Sequence, residues 1–140
     1  MTDTLENIIY AGKTRTTGGR DGRGASSDGE LDVRLSKPGS GRPGSNPEQL
    51  LGVGWSACFI GALHRAGQSF EIRLPDDVAV SAEVSLGTAV GGGFALAAKL
   101  TVELPGLATE DKARLVEAAH QLCPYSKATR GNIEVTFDIP

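Results

Sequence analysis

Apolar and polar residues alternate along two neighbouring stretches of the chain. Val78, Val80, Ala82, Val84 and Leu86 are separated by Ala79, Ser81, Glu83 and Ser85, and Phe94, Leu96, Ala98, Leu100 and Val102 repeat the pattern after Gly91-Gly92-Gly93. A period of two puts each set on one face of a strand, so the glycine turn between them predicts a hairpin or meander with one buried face. The same alternation predicts a last strand over Ile133, Val135, Phe137 and Ile139. Near the start, Ile8-Ile9-Tyr10 predicts a short strand, and Leu31, Val33 and Leu35, alternating with Asp32 and Arg34, predict another. Between these two, Thr16 to Gly24 carries so many glycines that it reads as a tight-turning loop bearing Arg20 and Arg23.

The pattern changes at Asn46. That residue suits a helix N-cap, Pro47 the first helical position, and Gln49 the third position of a capping box. The helix is predicted to run to about Gly67 and is apolar or small nearly all round, so protein should surround it. Gly54, Trp55, Gly61 and Ala62 lie three or four residues from Cys58 and Leu51 lies seven, so Cys58 should project from a packed face. A second helix is predicted to be capped by Thr109, with Glu110 and Asp111 in its first turn and Leu115, Val116, Ala119 and Leu122 as its inner stripe. Pro124 should stop it at Cys123. Strands, a central helix, more strands, a helix and a strand predict an α+β domain with helices packed on an antiparallel sheet. At 140 residues, a single domain over 1–140 is expected.

Charge narrows the choice of partners. The formal net charge of -3, from 14 basic and 17 acidic residues, leaves no basic footprint for nucleic acid and no polybasic membrane patch. The first residues lack a basic segment followed by a long apolar stretch, and the apolar run over 50–63 falls short of the roughly 20 residues of a membrane span. No membrane association and a cytoplasmic location are the expectation. In that reducing compartment a cysteine pair is more often catalytic, sensing or metal-binding than a permanent staple.

Cys58 and Cys123 are the only two cysteines. A thiolate attacks electrophiles, binds soft metals and forms disulfides, and two distant thiols can act together if the fold joins them. Cys58 falls in mid-helix, where a helix N-terminus cannot lower its pKa and apolar burial raises it. A cation has to compensate. The candidate is Arg20 in its glycine-rich loop, with Glu48 in the first helical turn able to hold the guanidinium through two hydrogen bonds. The plainer alternatives are an inert core Cys58, a helix-end packing role for Cys123, Glu48 as a helix-dipole partner and a solvated Arg20. His120, three residues before Cys123, raises a metal reading with Cys58, but no CxxC spacing supports it and no metal is expected.

Several segments together resemble the organic hydroperoxide resistance proteins of the OsmC/Ohr family. They are Gly18-Gly19-Arg20-Asp21-Gly22-Arg23, Asn46-Pro47-Glu48-Gln49-Leu50, Ser56-Ala57-Cys58-Phe59, Gly91-Gly92-Gly93-Phe94 and Cys123-Pro124-Tyr125-Ser126-Lys127-Ala128-Thr129-Arg130-Gly131-Asn132, in the family's order over almost the whole chain. The Cys-Pro-x-Ser-Lys stretch is shared across the superfamily, while Tyr125 and the run from Ala128 to Asn132 resemble the organic hydroperoxide branch. The resemblance implies an intertwined homodimer with the central helices buried and active sites at the subunit interface. It also implies Cys58 as peroxidatic cysteine, Cys123 as resolving cysteine, and Arg20 with Glu48 as the activating pair.

The implied activity is a thiol peroxidase that reduces alkyl or lipid hydroperoxides through a Cys58 sulfenic acid and a Cys58–Cys123 disulfide. No bound cofactor is expected, and dihydrolipoamide or a lipoylated protein is the expected reductant. Apolar walls from Leu51, Trp55, Phe59 and Phe94 would favour organic over hydrogen peroxide. The competing readings are a peroxide-sensing redox protein without sustained turnover, and a binding or structural module in which the cysteines are incidental.

Overall fold

The computed structural model describes residues 2–140. The chain divides into two compact units, Met1–Pro47 and Glu48–Pro140.

The first unit is a three-stranded antiparallel sheet of β1 (Thr14–Thr17), β2 (Arg23–Ser26) and β3 (Asp32–Arg34) in the order β1-β2-β3. Gly24 pairs with Thr16 on one side and Val33 on the other. The glycine-rich stretch read as a loop is therefore two strands joined by a single 3₁₀ turn, Gly19–Asp21. Arg23 lies on β2, where its guanidinium makes a two-point ion pair with Asp32. The strand predicted over Ile8-Ile9-Tyr10 does not form; no neighbouring strand pairs with it, and all three side chains are exposed.

Arg20 sits in the turn. The turn is tied down by the next residue, Asp21, whose carboxylate accepts from the Lys37 N–H at 3.2 Å and from Arg42 Nη2 at 2.6 Å. Gly22 closes it so tightly that a Cβ there would lie 1.6 Å from the Thr17 carbonyl oxygen. No rotamer relieves a Cβ clash with backbone. Gly22→Ala is expected to destabilise this unit by about 1–3 kcal/mol, the usual cost of forcing atoms into filled space. A thermal melt or limited proteolysis of the first 47 residues reads it, and an unchanged melt would contradict the geometry.

The second unit is built on α1 (Pro47–Phe70), the hairpin β4 (Ala79–Thr88) and β5 (Phe94–Glu103), α2 (Thr109–Leu122), a short α3 (Pro124–Thr129) and β6 (Glu134–Asp138). The hairpin register runs from Ala79↔Glu103 to Thr88↔Phe94, as the alternation predicts. β6 pairs with β5 in parallel, Leu100 facing Phe137, so the sheet is not wholly antiparallel. The chain leaves β5 through α2 and α3 before returning, and such a crossover delivers a parallel strand.

α1 starts at Pro47 and continues three residues past Gly67 to Phe70. Its inner side, with Trp55, Phe59, Leu63 and Ala66, packs into a core shared with Leu100, Val102 and Leu104 of the sheet side and Leu115, Val116 and Ala119 of α2. Gly52 is the close-contact point with the sheet, where a Cβ would meet the Ala82 carbonyl oxygen at 3.6 Å. The opposite side, including Val53, Ala57 and Gly61, is exposed in the single chain. α2 is capped by Ala108 rather than Thr109 and without a side-chain hydrogen bond. Leu122 is exposed, and the last buried position of that stripe is Cys123.

Candidate active site

Cys58 lies in the middle of α1, three residues after Trp55, and leans toward the N-terminal side as helical side chains do. Cys123 is both the residue that ends α2 and the residue that precedes α3, in an extended conformation (φ -67°, ψ 120°). Pro124 makes this junction: it stops the first helix and opens the second as its first residue. The result is that the two sulfurs lie 3.4 Å apart, both as free thiols. Cys58 is partly open to solvent and Cys123 fully enclosed. The accessible thiol can meet a reagent from outside while the enclosed one waits behind it.

Burial pushes the Cys58 thiol above its ordinary pKa, the second thiol beside it adds to the rise, and the Tyr125 N–H pulls partly back. Both causes disfavour the thiolate, so a nucleophilic role calls for a cation that favours it. Glu48 stands ten residues before Cys58 in α1, about 15 Å along the axis at 1.5 Å per residue, too far to touch the thiol directly. Arg20 belongs to the other compact unit.

The expected pocket walls separate on inspection. Trp55 and Phe59 have no exposed surface and belong to the core, Phe59 stacking at 5.5 Å on Phe137. Both side chains face inward from α1. Leu51 is half-buried. Phe94 is 82% exposed at the hairpin tip. It pairs with Thr88, six residues along β4 from the Ala82 that Gly52 touches, about 20 Å at strand rise.

Two residues that the sequence showed only as parts of a motif turn out to frame the thiols. Tyr125 lays its ring over Gly54, one turn before Cys58, with ring atoms 3.6 Å from where a Cβ would be. Ser126 is fully buried and its Oγ accepts from Trp55 Nε1 at 3.2 Å. A serine one turn into a helix after Cys-Pro was the available signal. His120 does not join the thiols as a ligand or base: its ring packs edge-on against Phe137 at 4.9 Å. Desolvation, then the Arg130 charge, lower its pKa, with Glu117 working the other way. Among the described residues no group of three or more His, Cys, Asp or Glu could hold a metal ion, and no helix is long and apolar enough to cross a membrane.

The α+β frame holds two free thiols in contact across a helix and a Cys-Pro junction, the geometry of a dithiol site. A family model described as OsmC-like protein matches residues 38–138. The organic hydroperoxide resistance protein of Xanthomonas axonopodis pv. citri is 43% identical over 138 residues, 96% of each chain. The crystal structure of the organic hydroperoxide resistance protein OhrB of Bacillus subtilis superposes with a TM-score of 0.89 at 39% identity, over 95% of this chain and all of that one. That of an organic hydroperoxide resistance protein from Elizabethkingia anophelis does so with a TM-score of 0.85 at 38% identity, over 96% and 98%. The chain belongs to the OsmC/Ohr family, with the organic hydroperoxide resistance proteins.

Proposed function

We propose that the protein is a thiol peroxidase that reduces organic hydroperoxides to alcohols. The observation that carries the reading is the 3.4 Å contact between an accessible and an enclosed thiol. Cys58 thiolate attacks one oxygen of the O–O bond, the alkoxide leaves and takes a proton as the alcohol, and Cys58 becomes a sulfenic acid. Cys123 then attacks the Cys58 sulfur, forming the disulfide and releasing water. Dihydrolipoamide or a lipoylated protein returns both thiols by exchange and leaves as its own cyclic disulfide.

Arg20 is the cation in this scheme. It favours thiolate over thiol and stabilises the charge developing on the leaving oxygen, and Glu48 holds its planar fork. The raised pKa of Cys58 supports the need for such a group. A homodimer with sites at the interface fits the uncovered side of α1 and the exposed Val90 and Phe94 of the hairpin tip, apolar surface that an isolated chain would leave in water. In this scheme Leu51 and a partner-contributed Phe94 line the substrate side, and the protein works in the reducing cytoplasm.

The test is steady-state consumption of cumene hydroperoxide and hydrogen peroxide with dihydrolipoamide as reductant. Turnover should favour the organic substrate. Arg20→Ala is expected to lose about 10²–10³-fold in kcat, the scale for removing a charge-stabilising donor, and to remain dimeric. Without the cation the thiol pKa rises, so the variant's rate should climb with pH over a more alkaline range than that of the wild type. Near-full activity of Arg20→Ala at neutral pH would remove the residue from the mechanism.

A further inference from the structure

The Trp55–Ser126 hydrogen bond and the Cys58–Cys123 contact join the same two elements. Trp55 precedes Cys58 by three residues on α1, and Ser126 follows Cys123 by three at the start of α3, so the two contacts form adjacent rungs between helix and junction. We propose that the Trp55–Ser126 bond is the pin that positions Cys123 for disulfide formation, with Ser126 a positioning residue for the resolving step.

The argument begins with Cys123 itself. Its extended backbone separates two helices, and it is the point at which α3 can swing relative to α2. On the upstream side it is fixed, its N–H donating to the Ala119 carbonyl at 2.8 Å. Downstream, the Lys127 N–H reaches back to the Cys123 carbonyl at 2.9 Å, and the Ser126 carbonyl accepts from the Arg130 N–H at 2.9 Å and from Thr129 Oγ1 at 3.2 Å. Those bonds make α3 a rigid piece but do not attach it to α1. Tyr125 touches α1 through its ring over Gly54 and its N–H toward Cys58, and the Trp55 indole N–H on Ser126 Oγ adds a directional side-chain bond between two fully buried residues.

A buried, directional bond matters here because closure asks for little motion. The sulfurs must approach from 3.4 Å to a bond of about 2.0 Å, a shift that side-chain rotation and small backbone adjustment can supply if the helices stay in register. Without the pin α3 can rotate about Cys123, and the enclosed thiol spends less time within reach. A hydrogen bond left unmade by a buried indole is also costly enough to drive that rearrangement.

The inference deepens the peroxidase reading, but its test needs no hydroperoxide. The equilibrium of the reduced protein with oxidised glutathione, which gives the Cys58–Cys123 disulfide and two molecules of reduced glutathione, measures how well the pair is held. Ser126→Ala and Trp55→Phe, each checked for native circular dichroism, are expected to lower that equilibrium constant at least about tenfold, equal to about 30 mV in the two-electron potential. The double variant should lose no more than either single one, because both remove the same bond. Additive losses would mean that the residues act separately through packing, and a constant within twofold of wild type for either single variant would remove the pin. A normal pin effect in a protein that fails to consume hydroperoxide would overturn the proposed peroxidase and leave the positioning role standing.

Discussion

Cys58→Ser is expected to lower cumene hydroperoxide consumption by more than about 10³-fold, the scale on which loss of an enzyme's nucleophile reads. The hydroxyl that replaces the thiol is a poor nucleophile toward O–O bonds and cannot pass through a sulfenic acid, so neither half of the cycle runs. Position 58 is half-buried beside Cys123, and a serine fits the space, so folding should be kept. Cys123 remains enclosed in this variant and cannot take over the attack from solvent. Mass spectrometry should find the wild-type protein two hydrogens lighter after one equivalent of hydroperoxide and the variant unchanged. Residual turnover above a few per cent in Cys58→Ser would sink the assignment. If wild-type Cys58 is oxidised yet never cycles with dihydrolipoamide, a sensor becomes the better account.

The second large effect is on stability. Trp55→Ala should cost about 3–5 kcal/mol, the range for emptying a buried aromatic site, against a total of about 5–15 kcal/mol for an ordinary domain. Trp55 has no exposed surface, belongs to the buried core and is bonded to Ser126 of α3, so its removal leaves a cavity. Trp55→Phe keeps much of the ring but strands the buried Ser126 hydroxyl, and about 1–3 kcal/mol is expected. Urea midpoints of the three proteins give the ordering directly. A Trp55→Ala loss below about 1 kcal/mol would show that this part of α1 is not the packed centre.

The secondary structure was legible where periodicity was long. The ten-residue strands β4 and β5 carry enough repeats for one face to be read from the residues alone, and α1 is long enough for its existence, though not its inner face, to be read. Short segments failed for the same reason. Ile8-Ile9-Tyr10 has strand composition, but a strand exists only where another backbone pairs with it, and β2, rich in neither branched nor aromatic residues, forms because β1 and β3 flank it. The parallel pairing of β6 was also out of reach, since alternation reports which side chains share a face and not the direction of the neighbour.

The thiols illustrate the same division. Cys58 and Cys123 could be singled out as the chain's only cysteines, and Pro124 announced the end of α2. That Trp55 and Phe59 face the core was not legible, because a three- or one-residue offset from Cys58 does not say which side of the helix is covered. Ser126 was passed over because its partner is 71 residues away.

The sequence by itself determined α1, α2 and the strands of the second unit, though not α3, the chemical repertoire of two thiols, and the family, through motifs whose order survives along the chain. Only the tertiary structure decided that those thiols touch, which of them is open, and that a buried indole–hydroxyl bond runs beside them. Local pattern depends on neighbours a few residues apart, whereas a contact spanning 65 residues follows from how the whole core packs.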